Sequence, residues 1–407
     1  MKYTGVNRSF NSYITIILCL SLSPFMLFDV LNVSNKFVVI LIFLYFSALL
    51  FKLKKININN FIYILLIIQA FFIIFLGLHH GLDHLSILYD SITFLLIIIT
   101  IFLFNNNYID TFKFLNIYLK LLVVLSVLAI ISTILLYFGY FEPIAVYDRG
   151  LLDDDGGNII YIAGLTLSNT VVPQVNGFLI RPSGLFDEPG QFGIYLLFAL
   201  FINKVTIQDK LYEVILILAG LITTSLGFFI SILLYLFFWR IRYLFFIIII
   251  ALLIFLFTDL DSSNQIYQMT LQRIFDLITG ASGNRNLPNE LRFTLLEKSG
   301  FFGIDKFEIS SYEIQLVSST YLQIFIFSGI LGGLVYYSNF IYIFIKLINI
   351  NFKFDYFIIF TILIISLYHR PVILYYAYFI LFYLIFTEKN SEKSIKFDKY
   401  LHEKGIK

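Results

Sequence analysis

YEVILILAGLITTSLGFFISILLYLFFW, Tyr212 to Trp239, is the stretch whose reading decides the fold. It is apolar on every face, and a helix of ~20 such residues crosses the ~30 Å of hydrocarbon in a bilayer. Read as one helix, it crosses once. Read as two helices broken around Thr223-Thr224-Ser225-Leu226-Gly227, it crosses twice and reverses the side of everything that follows. The basic residues arbitrate. With two helices, Lys52, Lys54, Lys55, Lys113, Lys204, Lys210, Arg240, Arg242, Lys346 and Lys353 share one side with Lys2, Arg8 and the lysine-rich tail, 389–407. The short loops of the other side keep only Lys36 and Arg370. That asymmetry is the positive-inside pattern of membrane proteins, so two short helices are expected. Short or broken helices at membrane depth are tolerated against protein or a water-filled cavity.

The rest of the chain agrees. Its 407 residues are 59% hydrophobic and 13% charged, a bilayer composition. About twelve spans are expected, at 11–30, 36–51, 61–78, 87–104, 114–140, 190–203, 212–224, 226–239, 243–258, 320–345, 355–368 and 371–387. The expected fold is an all-α integral membrane protein, one polytopic domain over 1–407, with both termini cytoplasmic. Two large extracytoplasmic loops, 141–189 and 259–319, separate the spans. The N-terminus resembles a signal peptide, but its apolar character continues through 25–28, which favours an uncleaved first span. Cys19 stands alone, so no intramolecular disulfide forms. A net charge of +2 without a basic, aromatic-interleaved patch gives no reason to expect nucleic acid. In the second loop, Tyr267, Leu271, Ile274 and Ile278 recur at helical spacing, as in an amphipathic helix on the membrane surface. Pro288 opens another expected helix at 289–298, with Gly300 past its end. No ionisable residue falls at the middle of a span, where ion-coupled transporters place carboxylates.

Charge concentrates instead in the outer loops. Arg181-Pro-Ser-Gly-Leu-Phe-Asp-Glu-Pro189 packs an arginine, two carboxylates and two prolines against the start of a span. Arg149, Arg181, Arg273, Arg285, Arg292 and Arg370 all face outward, against the positive-inside trend. Arginine's planar fork suits phosphate oxygens, while pairing with Asp153, Asp154, Asp155, Glu290 or Glu297 is the plainer alternative. Asp187 and Glu188 stand at the water–lipid boundary, placed either to act as a general base or to favour the dipole of the helix that Pro189 opens. His79, His80, Asp83 and His84 read as a polar connecting loop, because Gly81 fixes no metal geometry. Asp153-Asp-Asp-Gly-Gly-Asn158 lacks the acidic twelfth ligand of a calcium loop, with Gly164 in that place.

Three segments in order carry a resemblance. They are Arg181–Pro189 opening a span, Arg292-Phe-Thr-Leu-Leu-Glu-Lys-Ser-Gly-Phe-Phe-Gly303, and Ser318-Ser-Thr-Tyr-Leu-Gln-Ile-Phe-Ile-Phe-Ser-Gly-Ile-Leu-Gly332. Together they resemble the O-antigen polymerase (Wzy-type) and ligase superfamily of bacterial inner membranes. That family has an arginine–glycine–proline segment, an arginine-led helix ending in a glycine turn, and a closing signature, often His-Asn-x-Tyr-Leu-Gln then Gly-Ile-x-Gly. Its frequent histidine, assigned a catalytic role in ligases, is Ser318 here, which weakens the ligase reading and leaves the general base unassigned.

The resemblance implies a GT-C-like glycosyltransferase of the cytoplasmic membrane. Such an enzyme moves a growing glycan from undecaprenyl pyrophosphate to a lipid-linked repeat unit, in O-antigen, capsule or exopolysaccharide synthesis. It implies Arg181, Arg292, Arg370 and Arg273 as pyrophosphate or glycan ligands, with Glu188, then Asp187, as the carboxylate on the acceptor hydroxyl. No metal or other cofactor is expected, since arginines can stabilise the leaving pyrophosphate. Membrane lipid, a chain-length regulator and a flippase of the same pathway are the expected partners. A ligase, another lipid-dependent glycosyltransferase and a lipid-linked-oligosaccharide flippase remain the alternatives. The helices around 223–227 are expected to border the groove for the lipid substrates.

Overall fold

The computed structural model describes residues 7–22, 28, 31, 33–51, 61–81, 84–138, 145–147, 158–161, 166–174, 177–186, 188–223, 225–241, 289–304, 322–349, 354–368 and 376–387. Among them are twelve helices: α1 (Arg8–Ser21), α2 (Asn35–Phe51), α3 (Phe61–His79), α4 (His84–Asn105), α5 (Thr111–Tyr137), α6 (Pro189–Val205), α7 (Lys210–Ile222), α8 (Leu226–Trp239), α9 (Asn289–Ser299), α10 (Leu322–Asn349), α11 (Phe354–Tyr368) and α12 (Tyr376–Thr387). Four of these, α3, α4, α5 and α10, are long and apolar enough to cross a bilayer, and α2, α8, α11 and α12 are shorter apolar helices. The chain is a mostly helical membrane protein. The expected span at 243–258 and the surface helix at 267–278 lie outside the described residues.

α6 sits at the centre. Every residue from Pro189 to Asn203 is buried, and α5, α7, α8, α11 and α12 all pack on it. A helix that is apolar all round is stable only when protein or lipid covers every face; here protein does. Its neighbours turn other faces outward. Val124 and Ile131 of α5, Val214 and Leu218 of α7 and Phe237 of α8 are exposed, which in a membrane protein means exposed to lipid tails.

Residues 212–239 form two helices, as the charge pattern requires. α7 begins on Asp209, whose carboxylate accepts from Leu211 N and Tyr212 N, 2.7 and 3.2 Å away. The pair runs antiparallel. Gly220 of α7 lies against the Phe228 ring of α8, while at the far ends Glu213 accepts from Tyr235 OH at 3.0 Å and from Arg240 through two bonds, 3.0 and 2.9 Å. Beside this pair Trp239 Nε1 donates to Asp355 at 2.7 Å, and Lys204 lies 5.3 Å over the Trp239 ring. Asn105 is linked to both Tyr63 and Tyr383, at 2.7 and 3.0 Å. These bonds gather one end of the bundle, the end to which the lysine and arginine count assigns the cytoplasm. Arg240→Leu is expected to lower stability by about 2–4 kcal/mol, because it leaves the mostly buried Glu213 carboxylate with only Tyr235. Glu213→Leu should cost less, since the half-exposed Arg240 can reach water. Thermal unfolding of the two variants in one detergent checks the order.

The chain between α5 and α6 holds what the sequence reading did not foresee. Strands β1 (Ala145–Tyr147), β2 (Asn158–Tyr161), β3 (Thr166–Gln174) and β4 (Gly177–Gly184) form a four-stranded antiparallel sheet in simple β1-β2-β3-β4 order. Gln174 pairs with Gly177. Thr, Val and Ile, residues that suit strands, recur in these runs.

The span expected at 320–345 is present as α10, which is not continuous. α10 breaks at Gly329, whose φ of 66° and ψ of −174° belong to no helix. The break is filled by the turn after α9. Ile304 N donates to Ile326 O at 2.9 Å, Ile330 N to Gly300 O at 3.1 Å, and Leu331 N to Phe301 O at 3.2 Å. Backbone groups freed by a break must find partners at membrane depth, and a loop supplies them here.

Candidate functional site

Two segments are held at the end of the bundle opposite the Glu213–Arg240 pair. In the first, β4 runs directly toward α6. Arg181 lies in β4 opposite Asn169. Pro182 to Phe186 are buried, and Gly184 turns the chain with a φ of 58°. Phe186 anchors the segment by stacking on Phe192 at 5.7 Å and on Tyr195 at 4.4 Å; Tyr195 in turn meets Tyr378 of α12 at 4.7 Å. Such ring pairs contribute about 0.5–1.5 kcal/mol each beyond their burial.

Glu188 then caps α6. Its backbone oxygen accepts from Gln191 N and Phe192 N at 3.0 and 3.1 Å. Its side chain makes no capping hydrogen bond, and Pro189 supplies the first-turn geometry. The half-buried carboxylate stands at the N-terminus of α6, where a negative charge favours the helix dipole. Between Arg181 and Glu188, residues 182–186 are buried and Phe186 is held by stacked rings. Asp187 lies outside the described residues.

The second segment is α9 with its turn. The helix spans Asn289–Ser299, as Pro288 and Gly300 lead one to expect, and it carries Arg292. Gly300 and Gly303 both take positive φ, 50° and 87°. A Cβ on Gly303 would stand 2.1 Å from Phe327 O, and one on Gly329 would stand 2.3 Å from the Phe301 carbonyl. The two chains touch backbone to backbone, which only glycine permits. At the end of α3, His80 Nε2 approaches Phe302 O at 3.2 Å, and His79 stacks on Phe75 at 6.0 Å and meets Phe302 edge-on at 5.6 Å. The histidines therefore hold the turn. Arg273 and Arg370 lie outside the described residues.

Beneath this turn lies a cavity of about 220 Å³ between α3, α4, α10 and α12. Its walls are mostly apolar, Phe72, Ile73, Leu76, Phe94 and Phe327 among them, with His80 at the turn and Asp90 further along the lining. At the other end the buried amides Gln69 and Asn339 bond to each other. The groove expected at 223–227 is not where this cavity lies. Attention to ionisable groups passed over Gln69 and Asn339, although an amide inside an apolar run is itself a signal. Gly303 and Gly329 stood inside two quoted motifs, but their contact across the fold had no mark in either.

Comparison with known proteins leaves the chain by itself. No family model matches it, and neither curated proteins nor solved structures give a match.

Proposed function

We propose that this chain is a polysaccharide polymerase of the bacterial cytoplasmic membrane, a glycosyltransferase that extends a glycan at the outer face, with both termini in the cytoplasm. The donor is a glycan on undecaprenyl pyrophosphate, and the acceptor is a lipid-linked repeat unit. The acceptor hydroxyl oxygen forms a bond to the donor's anomeric carbon as the bond to pyrophosphate breaks. Glu188, or Asp187 beside it, takes the hydroxyl proton. Arg181, Arg292, Arg370 and Arg273 hold the departing pyrophosphate, whose charge must be met by fixed donors in a site that excludes water.

The observation that carries this reading is the Arg181–Glu188 connection. It joins an arginine-bearing strand to the first residue of the central helix through a buried, stacked link. The docked α9 adds support, since it places the second arginine-led motif at the same end of the bundle.

Deletion of the gene tests it. The mutant should make one repeat unit instead of long chains, and the intact gene should restore the ladder. Arg181→Lys should fail to restore it nearly as completely as Arg181→Ala, because lysine keeps the charge but loses the bidentate fork. Long chains made but not attached to their final acceptor would mark a ligase. Repeat units accumulating on the cytoplasmic leaflet would mark a flippase.

A further inference from the structure

The two parts of α10 belong to different cores. Beyond Gly329, Tyr336, Phe340, Ile343 and Leu347 are buried in the main core, where Phe340 meets Phe379 and Phe382 of α12 at 6.0 and 5.2 Å. Before Gly329 the packing differs. Ile326 and Phe327 join Leu295, Leu296 and Ile304 in a small cluster of their own. Within it Ile304 N donates to Ile326 O at 2.9 Å, and Gly303 lies against the Phe327 carbonyl. The helix α9, its turn and residues 322–328 therefore form one small body, and the rest of the bundle forms another. Units packed on separate cores can open separately, at less cost than global unfolding.

The seam between the bodies is held at a few places. Backbone bonds cross it from Ile330 N to Gly300 O and from Leu331 N to Phe301 O. Phe302 sits against Phe75 at 5.2 Å and is gripped by His79 and His80. Phe325 lies on Gly333, where a Cβ would stand 2.2 Å from its ring, and it stacks on Tyr337 at 5.4 Å. Ile324 reaches across to the main core. Between these contacts lies the cavity. Ile304, Phe327 and Ser328 give it one wall, while Leu76, Phe94 and Phe340 belong to the other. Side chains that face a void lose the dispersion contacts of packed neighbours. Along α10 the bodies are joined by Gly329, and a glycine at positive φ turns with no Cβ to hinder it, as a hinge must.

We propose that α9, its turn and residues 322–328 are a lid, hinged at Gly329, that opens and closes the cavity between α3, α4, α10 and α12. Phe302 and Phe325 are its latches. Opening lifts Phe302 from Phe75 and the histidines, lifts Phe325 from Gly333 and parts the bonds to Gly300 and Phe301, while the small core moves intact. The amides of Ile330 and Leu331 then meet water in the opened cavity, the condition under which broken helices are tolerated at membrane depth. The inference rests on the packing alone and stands whether or not the protein polymerises glycans. In the polymerase reading it means that Arg292, carried on α9, moves relative to Glu188 at the head of α6.

The test is residue-resolved hydrogen exchange of the full chain in nanodiscs. Ile330 N and Leu331 N bond across the seam, whereas Ile304 N bonds inside the lid. In the wild type Ile330 and Leu331 should exchange together and roughly tenfold or more faster than Ile304, because lid opening breaks the first two bonds and spares the third. A turn that merely frays would release Ile304, which ends it, at least as early as the two amides it covers. His80→Ala loosens one latch and should speed Ile330 and Leu331 a further fivefold or so, roughly the worth of one hydrogen bond, with Ile304 unchanged. Gly333→Ala, which drives Phe325 from its seat, should act in the same direction. If that variant fails to fold, the wild type and His80→Ala decide. Ile304 exchanging as fast as Ile330 and Leu331, or faster, overturns the proposal. So does exchange at Ile330 and Leu331 that His80→Ala leaves unchanged.

Discussion

Glu188→Gln is expected to cut polymer synthesis by roughly 10²–10⁴-fold, the contribution of a positioned general base, while leaving the fold intact. The structure makes this substitution informative. The Glu188 side chain makes no capping hydrogen bond, and Pro189 and the backbone oxygen organise the first turn of α6 without it. Loss of the charge near the helix N-terminus costs the helix about 0.3–1 kcal/mol. A polymer ladder from purified protein and lipid-linked repeat, run beside thermal unfolding, separates the two effects. Near-normal synthesis in Glu188→Gln and in Asp187→Asn would remove both carboxylates from the chemistry and turn the search to Glu290 and Glu297.

Gly329→Ala should be the most damaging single-atom change in the membrane domain. At a φ of 66° and a ψ of −174° the residue occupies a region that is nearly glycine-only, and a side chain there costs about 1–3 kcal/mol in backbone strain alone. The added carbon would also stand 2.3 Å from the Phe301 carbonyl. Relief requires the turn to leave the break, which uncovers Ile330 N and Leu331 N and frees α9. Trypsin should then cut at Arg292 and Lys298 in folded protein, where the wild type resists, and polymer synthesis should fall with the docking. Gly81→Ala is the control. It has a similar φ of 64° but nothing within 4 Å of the new carbon, so it meets strain without collision.

Period and charge made much of the helical frame legible. The run 212–239 resolved into two helices because lysines and arginines keep to one side of a membrane, and the bond from Glu213 to Arg240 records the same reversal in space. The α9 helix was legible from Pro288 and Gly300, since start and stop residues act locally. What escaped notice has two causes. The sheet lay in a loop read for its charges, so the Thr, Val and Ile of β2 to β4 went unused. The break in α10 and the cavity depend on contacts between residues far apart in the chain, Gly303 with Phe327 and Gln69 with Asn339. Nothing in a local pattern records such a meeting. The site was legible as residues and not as a constellation: Arg181, Glu188 and Arg292 stand at one end of the bundle, but on two separately anchored segments.

The mutual fit of Gly303 and Gly329 also bears on how the chain is made. The carbonyls that complete α10 belong to Gly300 and Phe301, thirty residues before the amides they accept from. The second part of α10 opens after Gly329 with amides that lipid cannot satisfy. During synthesis α10 therefore becomes a finished membrane element only once the turn after α9 has docked in its break. The order of events in biogenesis is written into one backbone contact: docking of the turn first, closure of the helix second.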